Sequence, residues 1–208
     1  MNPFTKKIIA VAGSGVLLWV AYYGSYLPLA KAQAFIDMLY VKDPGKTIPE
    51  IEKNFSAVLD ISSPIGHEEL VRTMTNSILG LFSKLKDPKD VKEVARYVEQ
   101  YYQPIIEQGR GMSFSQNLYI LAAVHQAAFS ATKDMVYFEN AKRYLSLGLE
   151  RGPRRPQFLY GVLWVAVLEQ NATAVQSLGA QILSYWPNSP DVARILGEVA
   201  AKGLTDKK

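Results

Sequence analysis

Apolar and polar positions divide this chain unevenly. From Ile8 to Leu29 (IIAVAGSGVLLWVAYYGSYLPL) no residue is charged, with Lys6 and Lys7 before the run and Lys31 after it. At about 1.5 Å of rise per residue, a helix of that length reaches roughly 33 Å, which matches a bilayer's hydrocarbon core. Beyond the run, apolar residues return every three or four positions, the spacing of helices with one buried face. After Ala32 no sustained alternation of period two occurs, so no sheet is expected. The pattern predicts an all-α protein, with a single N-terminal transmembrane helix followed by a helical domain.

The predicted anchor runs from Ile8 to Leu29. Trp19, Tyr22, Tyr23 and Tyr26 crowd its second half, and the three tyrosines suit the far headgroup layer. Lys6 and Lys7 place the N-terminus in the cytoplasm by the positive-inside rule. Pro28 predicts a kink or an end. A cleaved signal is the competing reading, because Ala30-Lys31-Ala32 before Gln33 has the small-residue pattern of a cleavage site. The run is longer than a usual signal core and its exit end is bulky, which favours a retained, single-pass anchor. Either reading puts the bulk of the chain outside the cytoplasm.

From Ala32 to Tyr40 the helical pattern continues, with Phe35, Ile36, Leu39 and Tyr40 expected on one side. Lys42 to Lys46 (KDPGK) is expected as a turn. Thr47 and Glu50 form a capping-box pattern, and Ile51, Phe55, Val58 and Leu59 give the stripe of the next helix. Ser62 to Gly66 breaks the chain. A helix is expected from about His67 to Leu85, with Leu70, Val71, Met74, Ile78, Leu81 and Phe82 on its apolar side. Asp87-Pro88 starts another, whose stripe is Val91, Val94, Ala95, Val98, Tyr101 and Tyr102. Pro104 lies late in it, and Gly109 to Gly111 turns the chain. These breaks suggest three regions: the anchor over 1–31, irregular helix pairs over 32–112, and evenly paired helices with a capping helix over 113–208.

In the last region the spacing repeats. Ala141, Leu145, Gly148 and Pro153 stand at intervals that Val175, Gly179, Ile182 and Pro187 reproduce, and the two prolines are 34 residues apart. Leu196-Gly197 continues the register, with Ser189-Pro190 as the start of the following helix. This period resembles the tetratricopeptide repeat, in which small residues let paired helices touch and Pro ends the second helix. The resemblance covers about 113–204 and implies a solenoid of antiparallel helix pairs that binds a protein or peptide. Departures are visible: Leu159 and Ala193 stand where the family often has Trp. Leu163 replaces a small residue and Ala166 a Tyr, and the chain between Phe129 and Ala141 is a few residues too long.

A second resemblance spans more of the chain. One tyrosine-rich helix, then FSAVLDISSPIGHEELVRTM, then helical repeats is similar to the extracytoplasmic tail of O-antigen polymerase/ligase-like bacterial membrane proteins. Phe55, Leu59, Ser63, Pro64, Gly66 and Glu69 carry it. In that family the chemistry lies in the multi-helix membrane part and its large outer loop; this chain has one expected span, so the activity does not carry over and the resemblance implies a relative of the tail placed at a bacterial cell envelope.

Composition narrows the function further. Of 208 residues none is cysteine, so disulfides and thiolate metal sites are excluded. The net charge of +4 is too modest to call for nucleic acid. His67 lacks a second ligand at helical spacing, and His125 sits among alanines as a core or groove residue. No nucleophile elbow or phosphate loop occurs. No catalytic residue, metal ligand or cofactor site is therefore expected. Lys142, Arg143, Arg151, Arg154 and Arg155 form a basic group; Arg151, Arg154 and Arg155 are candidates for binding an anionic headgroup or acidic polymer. Tyr97, Tyr101, Tyr102, Tyr119, Tyr137, Tyr144, Tyr160 and Trp164 are candidates for a groove, most of them at core spacing. The reading is a membrane-anchored, extracytoplasmic, non-catalytic interaction or scaffold module of the cell envelope, bound to the bilayer through residues 8–29. Its alternative is an accessory part of a surface-polysaccharide polymerisation or export system.

Overall fold

The computed structural model describes residues 2–42, 45–85 and 87–201. Part of the expected turn at Lys42 to Lys46, and the stretch beyond 201, lie outside them. Every regular element among the described residues is helical. The backbone divides into two compact units, Met1–Ile78 and Leu79–Lys208.

The first unit opens on one long apolar rod. Helix α1 (Pro3–Ala21) passes through a π-helical turn (Tyr22–Tyr26) into α2 (Leu27–Asp37) and a second π-helical turn (Met38–Lys42). Asn2 caps its start, its side-chain oxygen accepting from the Phe4 N–H at 3.1 Å. No residue of α1 is buried, and the rod is long and apolar enough to cross a membrane. Pro28 neither ends nor breaks it. Proline has no N–H to give, and its ring crowds the carbonyl four residues back. The preceding turn widens, so that the Leu27 N–H reaches the Tyr22 carbonyl five residues back, and the helix continues.

Helix α3 (Ile48–Leu59) packs on α2. Its capping box forms as expected: the Glu50 N–H donates to Thr47 Oγ1 at 3.4 Å and the Thr47 N–H donates to Glu50 Oε2 at 3.2 Å. Ile51, Phe55, Val58 and Leu59 are buried, with Phe55 against Phe35 at 6.1 Å between ring centroids. The side of α2 expected to pack needs correction. Ile36 and Tyr40 are exposed; the buried side is Lys31, Phe35 and Met38. Those three positions recur at four and three residues, one stripe of a helix, and a lysine occupies the first of them. After the break at 62–66 comes α4 (His67–Phe82), which ends three residues short of the expected Leu85. It buries Val71, Met74, Ile78 and Phe82.

The second unit stacks consecutive helices. These are α5 (Pro88–Gln108), α6 (Phe114–Thr132), α7 (Met135–Arg151), α8 (Pro156–Leu168), α9 (Ala172–Tyr185) and α10 (Pro190–Ala201), and each packs on the next. The expected stripe of α5 is buried throughout, Tyr97 and Ile105 joining it. Asp87 accepts from the Lys89 N–H at 2.8 Å, Pro104 is carried inside the helix, and Gly109 closes it in the left-handed conformation at φ 64. Short turns make α6 and α7, and α8 and α9, chain-adjacent packed neighbours. Each of these turns contains a non-glycine residue at positive φ, Lys133 and Gln170.

Candidate functional site

Two joints in the second unit have the same backbone. Helix α7 ends at Arg151 and α9 at Tyr185, each two residues before a proline, Pro153 and Pro187. The capping residues between share one conformation: Gly152 at φ −150, ψ 75 and Trp186 at φ −133, ψ 81. The next helices start on Pro156 and Pro190. Proline forces the residue before it out of the helical region, so the spacing seen in sequence fixes where each helix stops. The extra residues between Phe129 and Ala141 lengthen α6 and α7 instead of looping out.

The packing residues expected from the repeat are largely buried. Ala141, Leu145 and Gly148 lie inside on α7, and Val175, Gly179 and Ile182 on α9, while Pro153 and Pro187 are exposed. A side chain at Gly148 would run into the Phe158 ring, and one at Gly161 into Leu145. At Gly179 an added Cβ would stand 2.7 Å from Leu196 Cδ2. Leu145 and Gly179 hold matching repeat positions yet exchange roles, a knob in one and a hole in the other. Gly197 is a correction: it is exposed, nothing lies within 4 Å of where its Cβ would be, and it permits no close approach.

The groove candidates separate. Tyr97, Tyr101, Tyr102 and Tyr144 are core residues. Tyr119, Tyr160 and Trp164 line a cavity of about 390 Å³ between α6 and α8, together with Gln126, Gln157, Pro156 and Gly161. Among the described residues, none that lines it is charged. Trp164 is braced edge-on by Phe129 at 6.2 Å, and Tyr119 by Phe158 at 6.4 Å. The Tyr160 hydroxyl is 2.6 Å from the Ser189 hydroxyl, which ties α8 to the start of α10. Rigid aromatic faces beside amide groups give a surface that stacks on apolar ligand parts and hydrogen-bonds without choosing a charge.

A larger cavity of about 610 Å³ is lined by α5, α6 and α7 and carries charged groups, with Arg96, Glu99, Glu107 and Arg143 on its walls. Behind it His125 is fully buried and stacked on Tyr144 at 5.5 Å. Its Nε2 lies 3.2 Å from Glu99 Oε1, off the hydrogen-bonding direction. Tyr137, 6.0 Å from that imidazole, has its hydroxyl pushed above its usual range, first by burial and then by Asp134 and Glu99. Among the described residues no group of three His, Asp or Glu could hold a metal.

The basic group is shared among separate partners. Arg151 lies over Phe114 at 5.9 Å and Arg154 over Tyr185 at 5.7 Å, while Arg155 stands exposed at the start of α8. Arg143 donates to the Tyr144 hydroxyl at 2.9 Å. Lys142 pairs with Glu169, a hydrogen bond that holds its ammonium above the usual range.

The sequence reading took Lys31 only as a flank of the apolar run and missed its buried role. In the first unit Lys31 is a buried residue, 3% exposed, and its ammonium donates to the carbonyls of Leu59 at 2.6 Å and Ile61 at 2.8 Å. The available signal was its place on the stripe of Phe35 and Met38. No protein-family model matches the chain, and no match is found among curated proteins or solved structures.

Proposed function

We propose that this chain is a membrane-anchored, non-catalytic interaction module facing outward in a bacterial cell envelope, its second unit built as a tetratricopeptide-like stack of helix pairs. The observation that carries the reading is the repeated joint, in which helix end, cap dihedrals, proline and next helix start all recur after 34 residues. Stacked pairs of this kind expose a continuous surface and bind peptides or proteins. The uncharged groove of Tyr119, Tyr160 and Trp164 is the surface assigned to that role.

Retention of the anchor is supported by Lys31. Cleavage before Gln33 would cut inside an unbroken helix and remove the group that satisfies two carbonyls at the end of α3. Lys6 and Lys7 are exposed, whereas Lys31 is buried, so the free positive charge nearest the span lies on its N-terminal side. Photocrosslinking groups placed at Tyr160 and Trp164 in living cells test the reading. One defined envelope protein captured from both positions, and not from exposed Gln181 on α9, supports it. No adduct, or the same adduct from Gln181, removes it.

The alternative, an accessory part of a surface-polysaccharide system, is favoured by Gln126 and Gln157. Amides beside aromatic faces also suit an uncharged glycan. Loss of normal polymer chain length on deletion of the protein, with no crosslinked protein, decides for it.

A further inference from the structure

We propose that Lys31 and His67 form an acid-sensitive clasp, which fixes the helix leaving the membrane to the end of α3 at neutral pH and lets it go in acid. This device is independent of what the groove in the second unit binds.

The geometry begins with orphan carbonyls. The last turn of a helix has C=O groups without partners, and they carry the negative end of its dipole. Lys31, two residues beyond the apolar run, brings its ammonium onto the Leu59 carbonyl in that turn and onto the Ile61 carbonyl just beyond it. Its third neighbour is His67 Nδ1 at 3.4 Å, on the first residue of α4. Nδ1 can accept from an ammonium only if it carries no proton, so the clasp requires the neutral imidazole, protonated at Nε2.

Acid reverses that contact. A proton taken from solvent at Nδ1 turns the acceptor into a donor and sets two positive charges side by side in a half-buried place. Among the described residues, Lys31 from α2 and Asp60 from the end of α3 act on the His67 charge, and Glu68 and Glu69 follow on its own helix. Burial first, and then the Lys31 charge, hold its pKa below the ordinary 6.5, while Asp60 opposes them. A depressed histidine pKa means that the folded unit binds fewer protons than the unfolded chain. The stabilisation is therefore present above 6.5 and is lost as pH falls through the lower folded value. In acid the ammonium and imidazolium repel, and the rod is freed from α3.

Hydrogen exchange of the full chain in nanodiscs tests this, comparing wild type with His67→Gln at about pH 7.5 and about pH 5, so that intrinsic pH effects on exchange cancel. Gln keeps an acceptor for Lys31 and does not titrate. The clasp predicts that wild type loses roughly tenfold protection over residues 31–40 and 56–61 in acid and that His67→Gln keeps it. Equal loss in both proteins, or no loss in wild type, overturns the proposal. If His67→Gln is unprotected at both pH values, nuclear magnetic resonance titration of wild-type His67 decides. A midpoint below 6.5 that coincides with the loss of protection supports the clasp, and a midpoint at 6.5 or apart from that loss overturns it.

Discussion

Leu145 on α7 fills the space that a side chain at position 161 on α8 would need, so the two helices meet only because residue 161 is glycine. Contacts of this type set how closely the helices of the second unit can stack. They separate glycines that serve packing from glycines that do not.

Substitution tests that separation. Gly161→Ala forces a methyl into Leu145 and should cost about 1–3 kcal/mol, as overpacking of a close-packed core does. Gly197→Ala meets open space in a helix and should stabilise by up to about 1 kcal/mol, through lower entropy of the unfolded chain. Denaturant midpoints of the two variants should move in opposite directions; movement in the same direction contradicts the assignment.

The hydroxyl pair of Tyr160 and Ser189 joins α8 to the start of α10. Tyr160→Phe leaves the buried Ser189 without that partner and should lower stability by about 1 kcal/mol. Because Phe keeps the stacking face, partner capture through the groove should survive. Loss of capture with unchanged stability would give the hydroxyl a role in recognition instead.

Lys31→Met removes a buried charge and leaves the carbonyls of Leu59 and Ile61 unpaired. The second effect dominates, because buried unpaired acceptors cost about 1–3 kcal/mol. The first unit should lose roughly 2 kcal/mol, read as faster exchange at α3 in the full chain, while α7 to α9 exchange unchanged.

Much of this architecture was legible in the residues because its determinants are local. The capping box at Thr47, the Asp87-Pro88 start and the stripes of α3 and α5 each depend on neighbours within a turn or two. The partners of Lys31 were not legible, since they lie 28 and 30 residues further along the chain. Reading that lysine as a flank of the apolar run also misplaced the buried side of α2, and put Ile36 and Tyr40 where Met38 belongs. The role of a glycine depends on what faces it, which explains why Gly179 and Gly197 look alike in sequence and differ in the fold. The groove narrowed for the same reason: eight aromatic candidates share helical spacing, and burial alone separates Tyr160 and Trp164 from Tyr97 and Tyr102.

The absence of cysteine from the chain makes labelling of single introduced cysteines unambiguous. Thr5→Cys, Val16→Cys and Ala180→Cys probe the start of the rod, its middle and the exposed side of α9. In sealed spheroplasts, a membrane-impermeant maleimide should label position 180 at once, label position 5 only after lysis, and leave position 16 unlabelled. Labelling of position 5 but not 180 before lysis, or of position 16 at any stage, would contradict an outward-facing module held in the bilayer by its first helix.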